Sequence, residues 1–366
     1  MEPLFKDILN CFKIEGDFVE AVLVNSGHIN DTYVVSFIKK DNTVQKYVLQ
    51  KINQYVFKEP DKLMDNIIRV TDHIRKKIMD EGGNPERETL KFINEKQGKY
   101  FHKTPDGDYW RVYSYIEDAV TYQIVENSNH FYNAGKAFGK FQMYLNDFSV
   151  VNLHETIPDF HNTPKRLKAL VEAINKDVKN RAITVKSEID FVMKRAEETN
   201  TIVNLLNEGK LPLRVTHNDT KFNNVLIDVN TGDGICVIDL DTVMPGSSLY
   251  DFGDSIRSGA NTADEDEPDL SKVWIDIGLF EHFTRGYLEM GYSFLTPTEL
   301  EYLPFSARLI TFELGMRFLM DYINGDTYFK IHREGHNLDR ARVQFKLVSD
   351  MEDKYDKMKN IIVKYK

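Results

Sequence analysis

With 366 residues the chain is long for a single domain and suits two, each large enough to bury a core of its own. Hydrophobic residues at 42% and charged residues at 28% are the proportions of an ordinary soluble globular protein. The formal net charge of -10 weighs against a general surface for nucleic acid or acidic membranes, while leaving room for a local basic pocket that takes phosphate. The two cysteines, Cys11 and Cys236, lie far apart without metal-ligand spacing, and Cys236 within the apolar run GICVID reads as a small core residue. The start MEPLFKDILNCFKIEGD does not look like a signal peptide, and no apolar run approaches the roughly 18 residues that a spanning helix needs. A reducing cytoplasm is the expected compartment, with no membrane partner and a monomer or weak homo-oligomer.

In chain order, Leu4, Phe5, Ile8, Leu9 and Phe12 have the spacing of an amphipathic helix. FVEAVLVN, DTYVVSFIK and KYVLQKIN follow as strands separated by short polar turns, which predicts an antiparallel sheet. Pro60 opens a helix that carries Leu63, Ile67, Val70, Ile74 and Ile78 on one face and ends at glycines. TLKFINEK and DYWRVYSYIED add two strand candidates. From about Asn127 the pattern turns helical, over 127–147, 165–180, 187–208, 270–291, 297–324 and 337–365. The fold class is therefore α+β, with a smaller sheet lobe over 1–117 and a larger, mainly helical lobe over 118–366. The acidic run ADEDEPD is read as a solvated loop.

Within the second lobe, RVTHNDTKFNNVLID sets Asp219, Lys221 and Asn224 on a short loop between apolar runs. Twenty residues after Asp219, the strand ICVI ends in Asp239. Phosphoryl transfer calls for this set: a carboxylate that accepts or orients the attacking hydroxyl's proton, an amide and a second carboxylate on magnesium, and a lysine that offsets charge on the moving group. Magnesium keeps several waters, so one Asn and one Asp beside nucleotide oxygens suffice. Taken singly, Asp219 and Asn224 are equally good turn residues bonded to their own backbone. Asp251, Phe252 and Gly253 spell the DFG that supplies a metal ligand in protein kinases. Here the triplet follows a Pro-Gly loop, MPGSSLY, and no apolar strand, so the metal is assigned to Asp239. Asp251 is read as the N-cap of a helix that is short at best, or as a brace for the loop that carries Asp219.

Taken together, SGHINDTY, YVLQKIN, WRVYSYIED, LRVTHNDTKFNNVLID, VIDLDTVMPGSSLYDFGDSIRSGANTADEDE and ELGMRFLMDYINGDTYF resemble the aminoglycoside phosphotransferase and choline kinase superfamily, within it most closely the N-acetylhexosamine 1-kinases. These stretches run nearly the length of the chain in the expected order. The resemblance implies a protein-kinase-like two-lobe fold, with ATP as co-substrate in the cleft and a sugar on the C-terminal side. It makes Asp219 the catalytic base with Lys221 beside it, Asn224 and Asp239 the Mg2+ ligands, and Asp241 a neighbour of metal or sugar. It also implies that backbone groups of Ser114, Tyr115 and Ile116 pair with adenine. His28, Ile29 and Asn30 are phosphate or sugar contacts, or simply a hairpin turn. Members of the superfamily usually carry a Lys or Arg on the third strand to hold phosphates, and that position here is Gln50, with Lys51 on the opposite face. Three solutions remain: Gln50 as a neutral donor, a register shift that admits Lys51, or a larger share of charge on magnesium. Arg317 presents a planar fork of donors suited to sugar hydroxyls or an amide carbonyl. Glu313 and Asp321, four residues to either side, offer a solvated salt-bridge ladder instead. The expected reaction is phosphorylation of the anomeric hydroxyl of GlcNAc or GalNAc. The alternatives are a kinase for choline, an aminoglycoside or another sugar, and a nucleotide-binding module with dead chemistry.

Overall fold

The computed structural model describes residues 2–24 and 29–366. Helix α1 (Glu2–Leu9) precedes three strands, β1 (Asp17–Val24), β2 (Asp31–Ile38) and β3 (Val44–Lys51). After α2 (Pro60–Asp80) and the short α3 (Pro85–Glu88) come β4 (His102–Lys103) and β5 (Tyr109–Ser114). The five strands form one antiparallel sheet in the order β1-β2-β3-β5-β4. Side chains alternate across it. Val35, Phe37, Leu49, Trp110 and Val112 pack with Phe5, Ile8, Leu9 and Phe12 on one face, while Val48, Gln50, Arg111 and Tyr113 line the cleft on the other. The periodic face of α2, including Leu63, Ile67, Val70, Ile74 and Ile78, is buried as its spacing predicts.

TLKFINEK differs from expectation. It contributes only two isolated bridges, Phe92 opposite Tyr113 and Glu95 opposite Phe12, because β3 occupies one edge of β5 and β4 takes the start of the other.

The chain leaves this sheet at Ser114 and joins another at β6 (Ala119–Val120). Helices α4 (Ser128–Tyr144), α5 (Thr163–Lys176), α6 (Lys186–Met193) and α7 (Thr201–Asn207) follow. The single helix expected over 187–208 is broken by a 3-10 turn at Ala196–Asn200, where Thr199 and Asn200 turn their side chains back onto backbone carbonyls. Next come β7 (Arg214–Thr216), β8 (Val225–Asp228), β9 (Gly234–Val237) and β10 (Met244–Gly246). Strands β6, β8 and β9 form one small sheet, and β7 pairs with β10 in another. The stretch read as a Pro-Gly loop therefore includes a short strand.

Five helices complete the chain: α8 (Ser248–Gly259), α9 (Ile277–Gly291), α10 (Pro297–Asn324), α11 (His336–Asp353) and α12 (Tyr355–Lys364). Helix α8 is longer than its serine and glycine content suggests, because it is buried along most of its length. The helix expected over 337–365 is interrupted at Lys354. Helices α4 and α9 touch backbone to backbone: a Cβ on Gly286 would stand 2.1 Å from the Tyr132 carbonyl oxygen, and one on Gly135 2.4 Å from that of Phe283. No described helix is long and apolar enough to cross a membrane.

Candidate active site

The loop after β7 is fixed from beneath by Asp251, the fourth residue of α8. Its carboxylate accepts from the backbone N–H of His217 at 2.9 Å, the N–H of Asn218 at 2.7 Å and the side-chain amide of Gln142 at 2.7 Å. Burial nevertheless pushes the Asp251 carboxyl above its ordinary range, against the pull of His217 and these hydrogen bonds. Ser247 occupies the N-cap position of α8 and accepts from the Leu249 N–H, so of the two structural roles expected for Asp251 the brace is the one it fills. His217 donates from Nε2 to the Ile238 carbonyl at 2.8 Å and accepts the Asp219 N–H at Nδ1, 3.2 Å away. A single tautomer thus ties the loop to the end of β9. Thr242 donates to the His217 carbonyl at 2.6 Å, and Asn218 donates to the Thr242 carbonyl at 2.9 Å. Asn218 and Asp239 both adopt positive φ, 64° and 59°, a left-handed conformation that Asn and Asp tolerate better than most residues.

On this frame the Asp219 carboxylate pairs with Lys221, Oδ1 to Nζ 2.7 Å. Burial works to raise the Asp219 carboxyl, but the Lys221 ammonium together with His217 and Arg257 outweighs it and holds the group below the usual carboxylate range. The Lys221 ammonium is correspondingly pushed up, first of all by Asp219. Asn224 turns its Nδ2 to the Asp219 backbone carbonyl at 2.7 Å and to Oδ2 at 3.2 Å, leaving its own Oδ1 without a hydrogen bond among the described residues. The Ile238 N–H donates to the Asn224 carbonyl at 2.9 Å, which fixes Asp239 beside it. The Asp239 carboxylate has neither hydrogen bond nor ion pair among the described residues. The cleft leaves it open to solvent on one side; burial on the others, with the charges of Asp241 and Asp219, pushes its carboxyl up to about 6. An amide oxygen and an unpaired carboxylate, with two more carboxylates nearby, are a donor set short of positive charge. That is what a hard divalent cation supplies.

Asp241 is engaged differently. Its Oδ1 stands 2.5 Å from Nη1 of Arg111 on β5, and its Oδ2 accepts from Asn30 Nδ2 at 2.6 Å, so it joins the sheet lobe to the loop that carries Asp239.

One cavity of about 700 Å³ contains Asp219, Lys221, Asn224, Asp239 and Asp241. Asn30, Gln50, Ser114, Tyr115 and Ile116 line the same cavity from the sheet side, with Val48, Leu90, Phe92, Leu226 and Ile238 as apolar walls. His28 lies outside the described residues. Arg317 is not among the lining residues, and the ladder weighed for it does not form. Glu313 instead binds His161 Nδ1 at 2.9 Å and Thr163 Oγ1 at 2.6 Å, while Asp321 accepts from the N–H groups of Thr327, Tyr328 and Phe329 and from Asn337. Arg317 lies against the Tyr328 and Phe329 rings, 5.9 and 5.5 Å from their centroids. A run of contacts leads from there to the cleft through Phe329, Phe318, Arg340 and Glu265, the last of which lines it.

Sequence reasoning missed Arg111. The signal was present in YWRVYS, where the alternation that buries Trp110 and Val112 on one face sets Arg111 on the other, directly opposite Gln50.

Solved structures with this protein-kinase-like fold include an aminoglycoside phosphotransferase from Alicyclobacillus acidocaldarius subsp. acidocaldarius, 10% identical over 98% of this chain and 96% of that one with a TM-score of 0.62. A microcompartment-associated aminopropanol kinase is 13% identical over 98% of both chains with a TM-score of 0.57. An amicoumacin kinase, solved with AMP-PNP, Ca2+ and Ami, is 13% identical over 97% of this chain and 93% of that one with a TM-score of 0.56. At such identities the likeness establishes the fold. A phosphotransferase enzyme family model matches residues 20–285, nearly three quarters of the sequence and all of the loop geometry described above, and the chain therefore belongs to the APH phosphotransferase enzyme family.

Proposed function

We propose that the protein transfers the terminal phosphoryl group of ATP to the anomeric hydroxyl of an N-acetylhexosamine, GlcNAc or GalNAc, with nucleotide held chiefly by residues 1–117 and acceptor by residues 118–366. The observation that carries the chemistry is the convergence of Asp219, Lys221, Asn224 and Asp239 in one cleft, on a loop braced by Asp251. Asp219 orients the attacking hydroxyl and accepts its proton. An anomeric hydroxyl is more acidic than an ordinary alcohol, so a carboxylate held below its usual range still serves as base. Lys221 keeps Asp219 ionised and aimed. Asn224 and Asp239 would hold a magnesium ion that shields the oxygens of the moving phosphoryl group. The nucleotide analogue and divalent cation bound by the amicoumacin kinase support the same pairing here.

The sugar reading is supported by the resemblance that spans the chain and by the charge of the acceptor side. Asp254 and Glu265 are each matched by arginine, Asp254 by Arg257 at 2.8 Å and Glu265 by Arg257 at 3.4 Å and Arg340 at 3.7 Å. Arg317 and its aromatic neighbours lie beyond them. Carboxylates already engaged by arginine suit a neutral polyhydroxyl acceptor better than choline or an aminoglycoside, whose cations call for free carboxylates or an aromatic cage. Incubation with ATP, magnesium and a panel of free hexoses, N-acetylhexosamines, choline and aminoglycosides is expected to consume ATP only with the N-acetylhexosamines. Carbon NMR is expected to place phosphate on C1. A product that still reduces at the anomeric carbon, or turnover confined to the cationic acceptors, overturns the assignment.

Arg317 is the proposed sugar contact, through guanidinium donors that have no hydrogen-bond partner among the described residues. Arg317→Ala is expected to raise KM for the sugar or lower turnover by about tenfold to a hundredfold, the range of a charged hydrogen bond at roughly 1.5–3 kcal/mol, with KM for ATP unchanged. Unaltered sugar kinetics would leave Arg317 as a surface group stacked on Tyr328 and Phe329.

A further inference from the structure

The cleft contains more negative than positive side chains. Asp219, Asp239, Asp241 and Glu265 line it, while Arg111 and Lys221 are the only lysine or arginine among the described lining residues. Lys221 is held by Asp219 at the acceptor end. A nucleoside triphosphate therefore meets a single cation on the sheet side, and it lies on β5.

The two protein-borne solutions left open by the sequence are both closed. Gln50 Nε2 donates to Thr32 Oγ1 at 2.9 Å, and Gln50 Oε1 accepts from Arg111 Nε at 3.0 Å and Nη2 at 2.8 Å. Gln50 is thus an anchor for a neighbouring guanidinium and not a donor into the cleft. Lys51 stays in register opposite Trp110 and pairs with Asp108 at 2.7 Å, away from the cleft face.

Arg111 has the remaining attributes of a phosphate clamp. It is 2% exposed, so its charge acts through protein more than through water. Gln50 fixes one edge of the guanidinium and Asp241 the other, with the Met64 sulfur 3.8 Å from Nη1 and the Phe92 ring 5.9 Å from Cζ. Asp241 stands two residues from Asp239, which places the fork between the sheet and the candidate metal ligands. Of its five N–H groups, one on Nη2 has no partner among the described residues. A planar fork locked at both edges is pre-organised for phosphate oxygens, with little side-chain entropy left to lose.

We propose that Arg111 supplies the cation that holds the non-transferred phosphates of the nucleotide, displaced by one strand from Gln50 and held in place by Gln50 and Asp241. This rests on the cleft being the nucleotide site, and the test separates the two. Titration with fluorescent ADP and with adenosine, on wild type and variants, reads the phosphate contribution as the ratio of the two affinities. Wild type is expected to prefer ADP strongly. Failure of wild type to bind either ligand removes the nucleotide site itself. Arg111→Gln is expected to cut the ADP-over-adenosine preference by about tenfold to a hundredfold, the worth of a charge-assisted hydrogen bond, with adenosine affinity kept. Returning the charge to the adjacent strand, in the double variant Arg111→Gln, Gln50→Arg, is expected to recover part of the lost preference. If Arg111→Gln alone does not fold because Asp241 is left unpaired, Arg111→Gln with Asp241→Asn removes both charges together and is read the same way. A folded variant without Arg111 that keeps the wild-type ADP-over-adenosine ratio overturns the proposal.

Discussion

Asp219→Asn is expected to lower turnover by about a hundredfold to ten-thousandfold, the usual worth of a general base, while magnesium-nucleotide binding persists. The amide preserves the shape of the side chain and keeps an oxygen for Lys221, but it cannot take the acceptor's proton. Two neighbouring carboxylates are expected to behave differently. Asp239 has no protein partner among the described residues, so Asp239→Asn should shift the magnesium dependence of both activity and nucleotide binding to higher concentration, as loss of a charged oxygen ligand requires. Asp251 accepts two loop N–H groups and the Gln142 amide. Asp251→Asn should therefore cost stability, by about 1–3 kcal/mol for buried donors left badly paired, without moving the magnesium requirement of the surviving activity. Magnesium titrations of the three variants, side by side, check the set. A shifted metal requirement in Asp251→Asn, with none in Asp239→Asn, would transfer the metal to the DFG aspartate.

The largest effect on stability is expected at Glu299. It belongs to the capping box that opens α10, accepting the Thr296 N–H at 2.8 Å while the Thr296 hydroxyl accepts its own N–H at 3.1 Å. Its carboxylate also takes Arg214 in bidentate fashion at 2.5 and 2.8 Å and the Ser248 hydroxyl at 2.7 Å. One buried side chain thereby joins the start of α10, the start of α8 and strand β7, which leads into the loop that carries Asp219. Glu299→Ala leaves the Arg214 guanidinium without a carboxylate, held only by Asn146 and the Phe294 carbonyl, and is expected to cost about 3–5 kcal/mol in denaturant unfolding, the usual penalty for a broken buried pair. Burial opposes the charge on Glu299, but Arg214, the Thr296 N–H and Ser248 outweigh it and hold the carboxyl below its ordinary range. Its contribution is therefore present at neutral pH and lost as pH falls through the folded-state pKa. The gap in unfolding free energy between wild type and variant should narrow on acidification. A small gap that does not vary with pH would show that the network carries little of the stability.

Much of this architecture was legible because the signals were local. The face of α2, the strands β1 to β3 and the span of α10 follow from periodicity and from Pro60 and Pro297 at helix starts. The loop cluster could be read because Asp219, Lys221 and Asn224 are close in sequence and Asp239 ends the next hairpin. What the sequence hid depended on tertiary partners. Glu313 and Asp321 have ideal ladder spacing around Arg317, yet each is drawn to hydrogen-bond donors outside the helix face, His161 and Thr163 for one and a run of backbone N–H groups for the other. The bond between Gln50 and Arg111 joins residues 61 apart in the chain, and only the register of β3 against β5 brings them together. Breaks such as the one between α6 and α7 reflect side chains that bond to local carbonyls, an effect too small to mark a boundary within a helical run.

The close passage of α4 against α9 bears on how such a protein changes over generations. Gly135 and Gly286 meet the opposing backbone so closely that a single added methyl group would have to force the two helices apart. That seam admits almost no variation, and it lies in the helical body on which the braced loop is mounted. The segment containing α5, α6 and α7, by contrast, is a set of short pieces with many exposed positions between their breaks. Substitutions at those exposed positions can accumulate there without disturbing the seam. Selection on such a chain would act as on a machine tool with a fixed spindle and a replaceable housing: the seam and the loop mounted on it are inherited nearly intact, while the outer segment is free to drift.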